Sequence, residues 1–379
     1  MELDVSTKPN AVEVIREALR ELTYTERKEH RMKILNKNRV SLGNIILDSS
    51  FTPEFVVDKA KALKKKPLPI EEYRQLQNAL IQSEENVTSF LKVDNIIFAL
   101  VRDVSSNNPA LQLSAISCCC NIALGNAKAC TTLTKSIAPY LITELESLNY
   151  PLLEVSIWTV GNLVAECSKA FEIFHAQDCL KYIVSLMHSC DNTILSSVAY
   201  TAMHYVHIGF PHILESEMIE LVKMSTEKSL TFEDPYLIWL LALLSSHPAC
   251  NTYLYNTVPL IVDYLYKNTT NNITAITEIT ACIRILANTV SEKSGQLAKF
   301  LLKNPKYPNS DSEILNKLLS CQHLHVRKET LWLIGNLYNH NCLDIKKLIQ
   351  DIIPHLSYLK QAITSITQDT IPMNTHISV

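Results

Sequence analysis

Beyond Leu68, apolar residues recur at spacings of three and four, in stretches of roughly 10 to 18 residues separated by Pro-, Asn- and Ser-rich turns. Alternation of the kind that marks β-strands is scarce, so the pattern predicts an all-α chain. A helix is also predicted from about Pro53 to the run Lys64–Lys66, where Pro67 ends it. Lysines are favoured at a helix C-terminus, and a basic targeting peptide is the alternative interpretation of this run.

Six of the predicted helices are imperfect copies of one another. Alignment places two positions four residues apart on one helical face, and we call them the first and second ladder positions. Successive copies are 41, 43, 38, 45 and 48 residues apart, close to the roughly 40 to 47 of armadillo and HEAT repeats. The first position holds Ser117, Trp158, Thr201, Trp239, Arg284 and Trp332, and the second holds Asn121, Asn162, Tyr205, Leu243, Asn288 and Asn336.

Repeats of this length bury their apolar faces only against neighbouring repeats. The sequence therefore predicts a right-handed armadillo/HEAT-type superhelical solenoid, in which the last helix of each unit lines a concave groove. A globular helical bundle is the alternative, but a bundle has no reason to repeat a Trp and Asn step. Gly161 and Gly335 each precede a ladder asparagine, and we expect helices of adjacent units to approach closely there.

Composition and spacing exclude several functional classes. The six glycines are never closer than 36 residues, so no glycine-rich nucleotide loop exists. No His, Cys and Asp set has metal-site or catalytic-triad spacing, and His204 and His207 are interpreted as repeat residues. We therefore expect no enzyme activity and no cofactor. A net charge of −3 argues against direct binding of nucleic acid.

Eleven cysteines without a CxxC pair, behind an N-terminus with no apolar leader, indicate reduced intracellular thiols buried in the core. The most apolar run, Leu237 to Leu244, is far shorter than the ~20 residues that cross a bilayer, so no membrane span is expected.

The charge of the chain is concentrated near its start. A helix capped by Asn10 is predicted over residues 11–39, and from Arg16 onward it carries eight Lys or Arg against four Glu. Residues 1–44 are thus predicted to form a basic arm on a net acidic body. A short helix and lysine-rich linker follow at 45–70, and a repeat array of about six to seven units at 71–379.

The segments WTVGNLVAE and KETLWLIGN resemble the W-x-x-x-N armadillo repeats of the importin alpha family, which carries nuclear-localisation peptides. Arg284 with Asn288, and Tyr205, are similar to substitutions in that family. The segment ERKEHRMKILNKNRVS resembles its importin-beta-binding arm. The resemblance covers about residues 11 to 345. The segment LQLSAISCCCNIALG also carries the resemblance. Overall, the chain most resembles divergent importin-alpha-like proteins of the transmembrane and coiled-coil domain-containing type.

The resemblance implies a groove for an extended basic peptide. Asn amides would hold its backbone, indoles would take Lys or Arg stems, and acids would select positive charge. Core packing for the Trp side chains, and capping or bridging of repeats for the Asn side chains, are the alternatives. Ser117, Thr201 and Leu243 interrupt the row and should weaken binding. The implied groove residues are Trp158, Asn162, Glu166, Asn121, Asn288, Glu329, Trp332 and Asn336, and the implied arm residues are Arg27, Lys28, Arg31, Lys33, Lys37 and Arg39.

The resulting hypothesis is a non-enzymatic nuclear transport adaptor, cytoplasmic and nuclear, whose partners are basic signal peptides and importin beta. Its arm would dock to importin beta or fold back on the groove. The alternative hypothesis is an armadillo scaffold that binds another protein and is unrelated to nuclear import.

Overall fold

The computed structural model describes residues 41–43, 49–228, 232, 234–269, 275–304, 306 and 313–369. All regular structure in these ranges is helical. The chain divides into two compact units, Met1–Gln177 (unit 1) and Asp178–Val379 (unit 2). The helix predicted over residues 11–39, which contains the arm residues, lies outside the described residues.

Twenty α-helices are described, and the two units are given separately. Unit 1 contains α1 Pro53–Lys65, α2 Ile70–Leu80, α3 Glu84–Leu91, α4 Ile96–Val104, α5 Pro109–Ile122, α6 Ala127–Glu144, α7 Tyr150–Glu166 and α8 Ser168–His175. Unit 2 contains α9 Cys179–Ser189, α10 Leu195–Gly209, α11 Glu215–Lys228, α12 Pro235–Leu244, α13 Pro248–Leu254, α14 Val258–Asn268, α15 Ile276–Thr289, α16 Gln296–Leu302, α17 Glu313–Ser320, α18 Leu324–Tyr338, α19 Leu343–Ile352 and α20 Leu359–Asp369, with 3₁₀ turns at Tyr255–Thr257 and Ile353–His355.

Several helices begin at a capping side chain followed by proline, which explains the Pro- and Asn-rich turns of the sequence. Thr52 Oγ1 accepts the Phe55 N–H before Pro53, and Asp234 Oδ1 accepts the Leu237 N–H before Pro235. Such a cap satisfies a helix N–H that has no intrahelical partner, and proline there loses no bond.

Helix α1 ends at Lys65, so the predicted helix from Pro53 is confirmed. Its buried face, formed by Val56, Ala60 and Leu63, packs against α2, α3 and α4. The helix is therefore part of the core of unit 1.

In unit 1, helices α2, α5 and α7 pack side by side, and α4 and α6 pack against α5 and α7. Helix α5 is buried continuously from Ala115 to Ile122. Cys118, Cys119 and Cys120 point in three directions around this helix, and all three side chains are fully buried. A helix enclosed on all sides needs an apolar surface all round, which accounts for a sequence such as AISCCCNI.

In unit 2, helices α10, α12, α15 and α18 each pack against the next. The residues from Leu237 to Leu244 of α12 are all buried. Each unit is thus a stack of helical repeats, and the all-α solenoid class predicted from the sequence is confirmed. The right hand of the superhelix stays a prediction.

The expected close approach of helices at Gly335 is wrong. A Cβ built there would meet nothing within 4 Å, because this face of α18 is partly open. Close approach occurs at Gly125 instead. A Cβ there would lie 2.9 Å from Val87 Cγ1 and 3.1 Å from Ala129 Cβ.

Among the described residues, no helix is long and apolar enough to cross a membrane. The same residues bring together no group of three or more His, Cys, Asp or Glu side chains suited to a metal ion.

Candidate functional site

The ladder asparagines hold consecutive repeats together. Asn162 Nδ2 of α7 donates to the Cys120 carbonyl of α5 at 3.3 Å. In unit 2, Asn336 Nδ2 of α18 donates to the Ala287 carbonyl of α15 at 2.7 Å. In both cases the accepting residue directly precedes the second ladder position of the previous repeat. These side chains therefore bridge neighbouring repeats, which is the alternative to peptide binding given above for the ladder asparagines.

The accepting carbonyls lie in the last turn of a helix, where carbonyls lack intrahelical donors. The backbone N–H groups that follow α5 donate to the carbonyls of Cys119, Asn121 and Ile122 and leave out the carbonyl of Cys120. That carbonyl accepts a hydrogen bond from Asn162 Nδ2 instead. The same happens after α15, where the Ala287 carbonyl receives Asn336. The asparagine of one repeat thus caps the helix of the repeat before it.

The repeat with an apolar second ladder residue, Leu243, keeps this connection through a relay. Asn288 Nδ2 donates to Ser245 Oγ at 2.9 Å, and Ser245 Oγ donates to the Ala242 carbonyl at 2.8 Å. Ala242 directly precedes Leu243, so the capped carbonyl is the equivalent one. The serine hydroxyl lies between the asparagine and the carbonyl that other repeats join directly.

A further ladder repeat lies on α2, and sequence analysis missed it. Asn121 Nδ2 donates to the Gln77 carbonyl at 2.9 Å, which makes Asn78 the second ladder position and Arg74 the first. Asn78 lies 43 residues before Asn121, within the repeat period. The signal was present, because Arg74 with Asn78 repeats the Arg and Asn spacing seen in α15.

Asn121 also binds a backbone segment from the start of the chain. The Leu42 N–H donates to Asn121 Oδ1 at 2.9 Å, and Asn121 Nδ2 donates to the Leu42 carbonyl at 2.7 Å. One amide therefore uses one N–H to cap α2 and its remaining polar atoms to hold a single residue of backbone. Nothing in this contact depends on the identity of the residue held.

The segment Ser41–Gly43 crosses α2 as well as α5. Gly43 has a φ of 123°, and a Cβ at this position would collide with the Asn78 side chain. Only glycine tolerates both the backbone angle and the contact. Leu42 is three residues after Arg39, the last of the predicted arm residues.

The three ladder tryptophans differ in exposure. Trp239 is 6% exposed, Trp158 is half-buried and Trp332 is 48% exposed. Of the three, Trp332 offers the largest indole surface to a ligand. Glu166 is the half-buried last residue of α7 in unit 1, where it follows Asn162 by one turn.

Glu329 pairs with an arginine of its own chain. Arg284 Nε donates to Glu329 Oε2 at 3.0 Å, and an Nη of Arg284 bonds Oε1. The Arg284 guanidinium carbon also lies 5.8 Å from the centre of the Trp239 ring. The carboxylate of Glu329, which the sequence predicts to be a groove acid, is therefore bound to Arg284, and its contact with a peptide stays a prediction. Sequence analysis missed this pair because its members lie on different repeats.

The buried thiols near the ladder are poor nucleophiles. Burial raises the pKa of Cys120 to about 12, and hydrogen bonds from Thr159 and Asn162 oppose this only in part. A thiol with that pKa is protonated near neutral pH, and the protonated form does not attack substrates.

No family model matches this chain. Its sequence is similar to importin subunit alpha-9 of Arabidopsis thaliana, with 22% identity over 276 residues, 70% of this chain and 52% of the relative. The chain therefore spans about half the length of the curated relative that it matches.

The solved structures to which this chain is similar include designed proteins. One engineered protein aligns with a TM-score of 0.49 and 20% identity, over 67% of this chain and 98% of its own. A designed armadillo repeat protein aligns with a TM-score of 0.40 and 13% identity, over 74% of this chain and 99% of its own. Together, the repeat stack and the sequence similarity support an armadillo-like repeat protein.

Proposed function

We propose that this chain is a non-enzymatic adaptor of the importin alpha type, which binds extended basic peptides along its ladder. Its proposed partners are nuclear-localisation-type peptides and importin beta, and its proposed location is cytoplasmic and nuclear. Its membership of the divergent subgroup that the sequence resembles is part of the same proposal.

The observation that carries this proposal is the contact between Asn121 and Leu42. It is a two-point bond to backbone alone, which is what an extended peptide of variable sequence requires. In unit 2, Asn336 offers equivalent atoms. Its second N–H and Oδ1 have no protein partner within the described residues, and Trp332 lies one turn away on the same helix.

The arm is proposed to compete with cargo. A basic segment tethered next to the ladder has a high effective concentration there, so it occupies the groove when no cargo or carrier is present. Importin beta would release the groove by binding the same arm residues, including Arg27, Lys28 and Arg31.

The test uses fluorescence anisotropy with a labelled lysine-rich signal peptide. We compare the full chain, a variant lacking residues 1–44, and Trp158→Ala and Trp332→Ala in the shortened chain. The deletion should increase affinity, and each substitution should reduce it, because a stem that lies on an indole gains about 0.5–2 kcal/mol. Tyr338→Ala on α18 is the matched control, as an exposed aromatic residue outside the ladder. If the shortened chain ignores the peptide at about 50 μM, the adaptor proposal fails.

A pull-down with importin beta tests the arm separately. Replacing Arg27, Lys28 and Arg31 with Ala should abolish capture of the full chain. Capture that is absent in the wild type, or unchanged in the variant, contradicts the carrier part of the proposal.

A second candidate is an armadillo scaffold that binds another protein. It is favoured by the chain's own use of ladder groups, since Asn162 is fully buried against α5 and Glu329 is paired with Arg284. A scaffold keeps these residues for repeat packing alone. The scaffold hypothesis predicts that Trp332→Ala leaves the affinity for basic peptides unchanged.

A further inference from the structure

Arg284 occupies the first ladder position of α15, where three other repeats have tryptophan. Its guanidinium lies between the Trp239 ring of α12 and the Glu329 carboxylate of α18. The side chains of Arg284 and Glu329 are only 17% and 14% exposed, and Trp239 is 6% exposed. The cation is thus enclosed by three consecutive ladder helices of unit 2.

The contacts of this cation are those of guanidinium recognition. Two nitrogens of Arg284 meet both oxygens of Glu329, a paired geometry that matches a planar fork to a carboxylate. The flat ion can also stack on an indole face. A lysine ammonium cannot form the same two parallel bonds, so the arrangement discriminates between the two basic side chains.

We propose that Trp239 and Glu329 form a guanidinium-binding slot of the groove, and that Arg284 is a ligand supplied by the chain itself. Arg284 is then the residue that excludes the arginine side chains of incoming peptides from unit 2. The peptide part of this inference rests on the proposed function, whereas the slot itself does not.

The neighbouring asparagine fits this role. Asn288 lies one turn beyond Arg284 on α15, and one of its N–H groups bonds Ser245 Oγ. Within the part of the chain that the structure describes, its other N–H and its Oδ1 have no protein partner. A peptide backbone bound there would pass beside the slot, as the Leu42 backbone passes beside α2 in unit 1.

The slot is tested in the full-length chain with Arg284→Ala, and methylguanidinium chloride is the probe. We measure the thermal midpoint and the fluorescence of Trp239 in a Trp158→Phe, Trp332→Phe background. Methylguanidinium should raise the midpoint of Arg284→Ala and change its fluorescence, with a Kd of about 10 mM or tighter. The parent with Arg284 intact should show neither effect. Methylammonium chloride should have no effect on either protein.

Two further variants keep the test decisive. Arg284→Ala with Glu329→Gln keeps the cavity but removes its charge, and it should not respond to methylguanidinium. Arg284→Met keeps the apolar stem and replaces Arg284→Ala if the alanine variant does not fold. If the Arg284 variants respond no differently from their parent, or respond equally to methylammonium, Arg284 is only a structural ion-pair partner and the inference is overturned.

Peptides separate this inference from the proposed function. Arg284→Ala should bind an arginine-rich peptide at least about fivefold more tightly than the wild type, with a much smaller gain for the lysine-rich peptide of equal length. Methylguanidinium binding without any peptide binding supports the slot and contradicts the adaptor function. Equal gains for both peptides overturn the assigned selectivity.

Discussion

Replacing Asn162 with Ala tests whether the ladder asparagines are structural bridges. Asn162 is fully buried, and its amide caps the Cys120 carbonyl. The substitution removes this hydrogen bond and leaves a buried carbonyl without its donor, which costs about 1–3 kcal/mol. We expect the free energy of unfolding of unit 1 to fall by about 2–3 kcal/mol. For a unit of this size, that corresponds to a midpoint roughly 5–10 °C lower.

Asn336→Ala is the matched comparison in unit 2. Asn336 makes the same kind of bond, at 2.7 Å to Ala287, but its side chain is partly exposed and water can replace it. Its loss should cost less than about 1 kcal/mol. Asn162→Asp keeps the shape of the side chain without the donor. It should destabilise at least as much as Asn162→Ala, because a carboxylate oxygen would then face the Cys120 carbonyl.

The assay is urea unfolding followed by far-UV circular dichroism, with the slope of the transition compared between variants. An unchanged slope shows that the native bridge was affected and not the extent of unfolding. If Asn162→Ala and Asn336→Ala cost the same, or if Asn162→Ala costs less than about 0.5 kcal/mol, the assignment of Asn162 as a buried cap is refuted.

Three other predictions follow from single contacts. Gly125→Ala should destabilise the protein by about 1–3 kcal/mol because its Cβ meets Val87. Gly335→Ala places a Cβ in open space on a helix and should stabilise the protein by about 0.5–1 kcal/mol. Thermal unfolding of both variants checks this prediction, and equal effects contradict it. Asp234→Ala removes the N-cap of α12 and should cost about 1 kcal/mol by urea unfolding, against no loss for Asp234→Asn. Burial raises the pKa of Cys120 from its ordinary value of 9.0 to about 12. The stability that the buried, protonated thiol contributes is therefore full below pH 9.0 and is lost as the pH rises towards 12. The free energy of unfolding measured across this range should decline, and Cys120→Ala should reduce the decline.

The helices and their repetition could be predicted from the sequence because both are periodic. Apolar spacing predicts helices such as α1 and α5, and the Trp and Asn step predicts which helices stack. The contacts of a particular side chain are a different matter. Glu329 appeared as a groove acid because its place in one repeat matches the importin alpha pattern, whereas its partner lies 45 residues away on another repeat.

The ladder of α2 was missed for a related reason. Arg74 is exposed and charged, so α2 lacks the aromatic or buried residue that marks most first ladder positions. The role of Ser245 was equally hidden, since a serine two residues after Leu243 belongs to no ladder position. Both features become recognisable only when the carbonyl that each amide caps is known.

The bridges between repeats have a direction. In each unit the later repeat donates the amide and the earlier one supplies the carbonyl, as Asn121 does for α2, Asn162 for α5 and Asn336 for α15. During synthesis the earlier helix leaves the ribosome first, and its last turn lacks this cap until the following repeat has folded. A chain released too early would therefore fray at its newest repeat, whose last turn has not received this cap.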